Sequence, residues 1–165
     1  MSITVRDATA ADADGIARSN VAMALEAEHK QLDPAVVDAG VRAVFDDAAR
    51  GRYFVAERDG RVVGQLMITC EWSDWRNGMF WWIQSVYVDP SARRGGVFRA
   101  LYAHVERLAR GDGAVCGLRL YVDRDNRRAQ ETYRRCGMLD SGYLVMEVDY
   151  SGAVQSAGGD THARE

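Results

Sequence analysis

Lysine is almost absent from this chain: Lys30 is the only one in 165 residues. A phosphate-binding P-loop needs a lysine directly after its second glycine, so that nucleotide motif is excluded. Cysteine is scarce as well. Cys70, Cys116 and Cys136 are odd in number and widely spaced, and no C-x-x-C pair occurs. This pattern argues against a disulfide framework and a zinc site, and for reduced, mostly buried thiols in a cytosolic protein. No apolar run approaches the ~20 residues of a membrane-spanning helix. The opening MSITVRDATAADAD has neither the basic start nor the apolar stretch of a secretory signal. An excess of positive charge is also missing. With 21 basic against 24 acidic residues the net charge is −3, which argues against a dedicated nucleic-acid binder.

What is present suits one soluble domain with a sizeable core, at 47% apolar and 27% charged residues. Alternation makes ITVRDA, residues 3–8, a strand. Thr9 or Asp12 can cap a helix that runs to about Glu28. LDPAVVDAGVRAVFDDAAR predicts a second helix, with Asp33 as its cap, Pro34 in its first position and Gly51 ending it. RYFVAERDGRVVGQLMITCEW predicts two strands joined at Asp59-Gly60. WRNGMFWWIQSVYV adds a third, through Val88, by the same kind of turn at Asn77-Gly78. VFRALYAHVERLAR is a helix stopping at Gly111, and AVCGLRLYV a strand. NRRAQETYRRCG is a helix ending in Gly137, and GYLVMEVDY a last strand. The expected order is β-α-α-β-β-β-α-β-α-β. This is an α/β domain over residues 1–150 with a mixed, mostly antiparallel sheet flanked by helices. SGAVQSAGGDTHARE, residues 151–165, reads as a disordered tail.

The most informative stretch is PSARRGGVFRALY, residues 90–102. Amides at a helix start favour an anion, and adjacent glycines allow it to come close. The G-x-G-x-x-G of a dinucleotide fold is absent. Arg93-Arg94-Gly95-Gly96-Val97-Phe98, preceded by SVYVDP, instead resembles the coenzyme A pyrophosphate loop of the GNAT superfamily of N-acetyltransferases. Phe98 departs from the pattern, standing where the family usually has a second glycine or alanine, and predicts crowding at the helix start. GLRLYVDRDNRRAQETYRRCGM is similar to the family's later segment, with Asn126, Ala129, Tyr133, Gly137 and Met138 in order. The resemblance covers residues 3–149.

The resemblance implies acetyl-CoA as cosubstrate and direct transfer of its acetyl group to a primary amine in a ternary complex. Amides of Gly95, Gly96, Val97, Phe98 and Arg99 would surround the pyrophosphate, with Arg93 and Arg94 adding charge-assisted contacts. Backbone groups of Val86, Tyr87 and Val88 would pair with the pantetheine arm as an added strand does. One of these N–H groups would polarise the thioester carbonyl. Asn126 falls on the cofactor side. Tyr133, two helical turns beyond Asn126 and on the same face, matches the family's general acid, protonated at pH 7; its other reading is a packing residue. Arg124, Arg127, Arg128, Arg134 and Arg135 read as helix surface.

The base is less clear, because FWWIQSV carries no acid. A two-residue turn at Asn77-Gly78 would set Glu71 opposite Gln84, and a four-residue loop opposite Trp82. In either register Glu71 shares the face of Trp82, Gln84 and Val86 and can act as the base, directly or through a water. Its other reading is an exposed charge at a strand end. Asp74, His29 and His104 are the remaining titratable options. Trp72, Trp75, Trp81 and Trp82 crowd one hairpin tip and read as an acceptor pocket, a homodimer surface or core. Glu26, Glu28 and Glu71 favour a cationic acceptor, whether a small molecule or a peptide amine. No metal and no cysteine nucleophile enter this scheme. A non-catalytic acyl-CoA-binding module, and a regulatory domain using the loop for another phosphate, are the alternatives.

Overall fold

The computed structural model describes residues 2–150. In chain order it contains β1 (Ile3–Asp7), α1 (Ala13–Glu28), α2 (Pro34–Asp46), β2 (Arg52–Arg58), β3 (Arg61–Ser73), β4 (Gly78–Val88), α3 (Val97–Gly111), β5 (Val115–Leu120) and α4 (Arg127–Arg135). The strands form one sheet in the order β1-β2-β3-β4-β5. The first four are antiparallel neighbours, and β5 lies parallel to β4. Crossing from β4 to a parallel neighbour needs a long connection, and α3 supplies it.

Both faces of the sheet are covered. On one, Phe54, Leu66, Ile68, Trp81 and Ile83 are buried with Val97, Leu101 and Val105 of α3. On the other, Tyr53 and Val55 are buried with Ile16 and Ala17 of α1 and Val41 of α2. Neighbouring residues of β2 thus point into different cores, which is why its apolar run YFVA does not alternate with polar residues. Leu101 has no exposed surface; truncating such a side chain to alanine costs about 2–5 kcal/mol.

Local chemistry explains most element ends. Asp33 accepts a hydrogen bond from the Ala35 amide at 2.8 Å, capping α2 ahead of Pro34. The β2–β3 turn has positive φ at both Asp59 and Gly60, as a two-residue hairpin of this kind requires.

Four expectations are corrected. The second helix stops at Asp46 instead of running to Gly51. Asp47 breaks it by capping a separate 3-10 turn through the Ala49 amide, at 3.0 Å. Asn77-Gly78 is not a two-residue turn: Ser73 pairs with Gly78, leaving a four-residue loop, and Glu71 lies opposite Phe80. Gly78 is used for close approach instead, since a Cβ there would lie 3.1 Å from Cys116 Cβ and 3.2 Å from the Ala114 carbonyl. GYLVMEVDY forms no strand, and its large apolar side chains are exposed. Cys70 and Cys116 are exposed rather than buried, and Cys136 is half-buried. The proposed tail, 151–165, lies outside the described residues.

Candidate active site

The site is built on a change of pairing within β4. Its ladder with β5 ends at Ile83 opposite Leu120. Its ladder with β3 continues, with Gln84 opposite Met67, Tyr87 opposite Gln65 and Val88 opposite Gly64. Residues 84–88 therefore pair on one side only within the described sheet. Between them the register shifts, and Ser85 takes φ 47°, a left-handed value uncommon for a residue with a side chain.

A buried polar chain lies against this bulge. Gln65 donates to Asn20 at 2.6 Å, and Asn20 donates to the Tyr53 hydroxyl at 3.2 Å. Gln65 and Asn20 are the two buried polar residues among those described. Burial pushes the Tyr53 phenol above its ordinary pKa, and hydrogen bonds with Asn20 and Ser85 pull partly against it. Unpartnered, such groups would cost about 1–3 kcal/mol each, so the chain holds α1, β2 and β3 to the bulge in one arrangement.

The strand then runs into the arginine-glycine loop. Gly96 is the residue preceding α3 and has φ 82°, while Arg94 has φ 62°. The space where a Cβ of Gly96 would stand has no heavy atom within 4 Å, so the mouth of the helix is open. The first amides of α3 lack helical carbonyl partners and present a positive end to it. Gly95 is constrained from beneath: an added Cβ would lie 2.4 Å from Arg58 Nη2 and 3.0 Å from the Ala92 carbonyl. Arg58 Nη2 donates to the Gly95 carbonyl at 3.2 Å, tying the loop to β2. Val97 is buried in the core, so its contribution here is its backbone. The ring of Phe98 is taken up sideways, 6.0 Å from Tyr102 and 5.6 Å from Tyr133.

Arg93 donates through Nε to the Val88 carbonyl at 3.0 Å and pairs with Glu26 of α1. Its guanidinium also lies 5.8 Å from the centre of the Tyr87 ring. The ion pair is largely solvated and so worth at most about 1 kcal/mol, which leaves Arg93 able to turn to a stronger anion.

Asn126 caps α4, its Oδ1 accepting from the Ala129 amide at 3.0 Å. Its amide NH2 and the second lone pair of Oδ1 remain free of this cap. Tyr133, edge-on to Phe98, brings α4 against the start of α3. Burial pushes its phenol above the ordinary value, with Cys136 adding to the effect, so the group holds its proton through the neutral range.

Glu71 lies on the other face of the sheet from α3, the face that carries Trp82 and Gln84. Its carboxylate accepts from the Trp82 indole and pairs with Arg119 at 3.2 Å. Arg119 lies over the Phe80 ring at 3.7 Å, and Trp82 stacks on Tyr121 at 4.5 Å. Phe80, opposite Glu71, is four residues from Gln84, about 13 Å along the strand. Loop, splayed strand and Tyr133 thus belong together, and Glu71 stands apart from them.

The four tryptophans part company. Trp81 is core, Trp82 lies on the Glu71 face, and Trp72 and Trp75 are exposed at the tip. His104 packs edge-on against Phe54 at 5.4 Å. The side chain of Glu28 lies outside the described residues. Arg58, Tyr53, Asn20, Gln65 and Arg119 were not singled out in the sequence. Asn20 and Gln65 carried a usable signal, as polar residues inside apolar runs.

Comparison with known proteins identifies the family. The sequence model of the Acetyltransferase (GNAT) family matches residues 21–138. The chain belongs to that family. A solved structure described as a possible acetyltransferase from Clostridium difficile 630 is 42% identical, with TM-score 0.84, covering 90% of this chain and 98% of that one. AAC(6')-Iy in complex with the bisubstrate analogue CoA-S-monomethyl-acetylneamine shares the fold at TM-score 0.72 and 15% identity, covering 90% of this chain and 99% of that one. The mycothiol acetyltransferase of Mycolicibacterium gilvum (strain PYR-GCK) is 45% identical over 56 residues, 32% of this chain. The chain spans only 18% of that relative's length. Among the described residues no helix of this GNAT-family chain is long and apolar enough to cross a membrane.

Proposed function

We propose that this chain transfers the acetyl group of acetyl-CoA to a primary amine by direct attack in a ternary complex. The observation that carries the reading is the half-paired segment 84–88 leading straight into the open mouth of α3. A strand edge and a helix N-terminus in series match the two ends of CoA: an amide-bearing arm and a pyrophosphate. Amides of Gly95 to Arg99 take the pyrophosphate, assisted by Arg93 and Arg94. Val86, Tyr87 and Val88 pair with the arm, and an N–H beside the Ser85 bulge faces the thioester oxygen. The Asn126 amide group lies on the cofactor side of α4.

The neutral amine attacks the thioester carbonyl carbon, the C–S bond breaks, and the leaving thiolate takes the proton of Tyr133. Glu71 draws the cationic acceptor in and removes its proton through water, since the strand length between them rules out direct contact. The stacked Trp82 and Tyr121 supply an aromatic wall for the acceptor beside it. Use of CoA and three free thiols suit a cytoplasmic enzyme.

An amine panel with acetyl-CoA, scored by free thiol release, tests this. The expected result is release with at least one cationic amine, together with thermal stabilisation by acetyl-CoA and CoA but not by ATP. Stabilisation without release for any amine would make the chain a binding module.

A further inference from the structure

Arg93 fills a site suited to a cation. Its guanidinium pairs with Glu26 and lies 5.8 Å from the centre of the Tyr87 ring. Glu26 stands 3.5 Å from the Tyr87 hydroxyl, which donates to it. A carboxylate on one side and an aromatic face on the other together bind a positively charged group. The helix behind them strengthens the site. Glu26 lies in the last turn of α1, where no basic residue stands, so the negative end of the helix adds to its charge. Asp89, the other acid that acts on both Arg93 and Tyr87, is already engaged by the amide of Ser91 at 2.8 Å and by its hydroxyl.

The position of this site in the sheet gives it a use. Val86 and Val88 pack against the α3 core. Tyr87, between them, points the other way. It lies opposite Gln65, which donates to Asn20 of α1, and its hydroxyl reaches Glu26 of the same helix. Glu26 and the Tyr87 ring thus stand on the face assigned above to the acceptor, one residue beyond Val86. Glu71 shares that face from the other side of Gln84. Its partner Phe80 is about 13 Å from Gln84 along the strand. One ammonium group cannot meet both carboxylates.

We propose that Glu26 and the Tyr87 ring bind a second cationic group of the acceptor, and that Arg93 occupies their site until the pyrophosphate of the cofactor takes its guanidinium. This rests on the acetyl-CoA reading above and adds the class of acceptor to it: an amine that carries another positive charge. Arg93 is placed for the exchange. Its Nε donates to the Val88 carbonyl at 3.0 Å, where the strand enters the loop, so only the far end of the side chain has to turn. A pyrophosphate offers more charge and more oxygens than the half-exposed Glu26 carboxylate. Cofactor binding removes the internal competitor of the acceptor cation. By linkage each ligand then raises the affinity of the other by the same factor. If the pair merely tied α1 to the loop, the contacts would be the same but losing Glu26 would have the opposite effect on the cofactor.

Calorimetry with CoA on the full chain and on Glu26→Gln tests the exchange. Without its competitor for Arg93 the variant should bind CoA about 2–5-fold more tightly. Equal or weaker binding would overturn the proposal. Absence of CoA binding by the unmodified chain would overturn it together with the acetyl-CoA reading. Tetramethylammonium, which cannot be acetylated, then probes the cation site by saturation-transfer NMR. It should give a signal with the CoA-saturated chain, a much weaker one with the free chain, and none with CoA-saturated Glu26→Gln. No signal with the CoA-saturated chain, an equal signal without CoA, or a signal that persists in the variant would each overturn the proposal. Neither measurement requires acetyl transfer. Failure of the transfer reading, seen as no thiol release with any amine, is therefore told apart from failure of this site.

Discussion

β4 holds two regions of opposite character. From Met79 to Ile83 it is paired on both sides, to β3 and to β5. From Gln84 to Val88 it is paired on one side only. The first half contributes Phe80, Trp81 and Ile83 to buried packing. The second half is bulged at Ser85, with Val86 and Val88 still packed against the α3 core and Tyr53, Asn20 and Gln65 forming a buried polar chain beside it. A backbone saturated with sheet hydrogen bonds has none to give a ligand. A fold that binds through its backbone therefore has to interrupt a ladder, and to stabilise the interruption with groups that are themselves satisfied. The gap beside residues 84–88 is thus a property of pairing, and Tyr53, Asn20 and Gln65 satisfy one another next to it.

Four substitutions sharpen the contrast, from the largest expected effect to the smallest. Gly96→Glu acts where the half-paired segment ends. It forces a side chain into φ 82° and sets a negative charge at the mouth of α3. Left-handed strain of about 1–2 kcal/mol and charge repulsion add. Acetyl-CoA affinity by calorimetry should fall by at least about 10²-fold; full affinity in a folded variant would remove the loop from the cofactor site. Tyr133→Phe keeps the ring against Phe98 but removes the acid. Turnover should fall by about 10²-fold with the acetyl-CoA dissociation constant unchanged. Unchanged turnover would return Tyr133 to packing.

Glu71→Gln acts on the fully paired half. It should lower kcat/KM by about 10-fold at neutral pH, and by less as the pH rises and the acceptor amine loses its proton unaided. A loss equal at every pH would mean that Glu71 binds the acceptor without handling its proton. Tyr53→Phe leaves a buried Asn20 donor unpartnered and loosens the Ser85 bulge. It should cost about 1–3 kcal/mol in urea unfolding and lower kcat a few-fold, with little change in KM. Loss of stability with full kcat would show that the bulge is held by β3 alone.

The fold could be read from periodicity and turn chemistry because those signals are local. Asp59-Gly60, Asp33-Pro34 and the helix after Gly96 form as their residues dictate. The Asn77-Gly78 turn misled because Gly78 is needed by a distant neighbour, the start of β5. The register of Glu71 moved by an even number of residues, which keeps it on the face of Trp82 and Gln84 but changes its partner. Val86 does not share that face as expected, because the bulge at Ser85 turns it to the α3 core. Arg58 beneath Gly95 and Arg119 beside Glu71 left no trace in the sequence, since each meets its partner across the sheet.

By itself, then, the sequence determined the element order from β1 to α4 and the resemblance to the GNAT family, and it singled out residues 93–99 as a candidate loop, all carried by neighbours in the chain. Only the tertiary structure decided where β4 loses its second ladder, which polar groups hold that opening, and that GYLVMEVDY lies off its own sheet. Strand pairing is a contest among distant segments for the same backbone hydrogen bonds, and its outcome depends on which edges the rest of the fold leaves open.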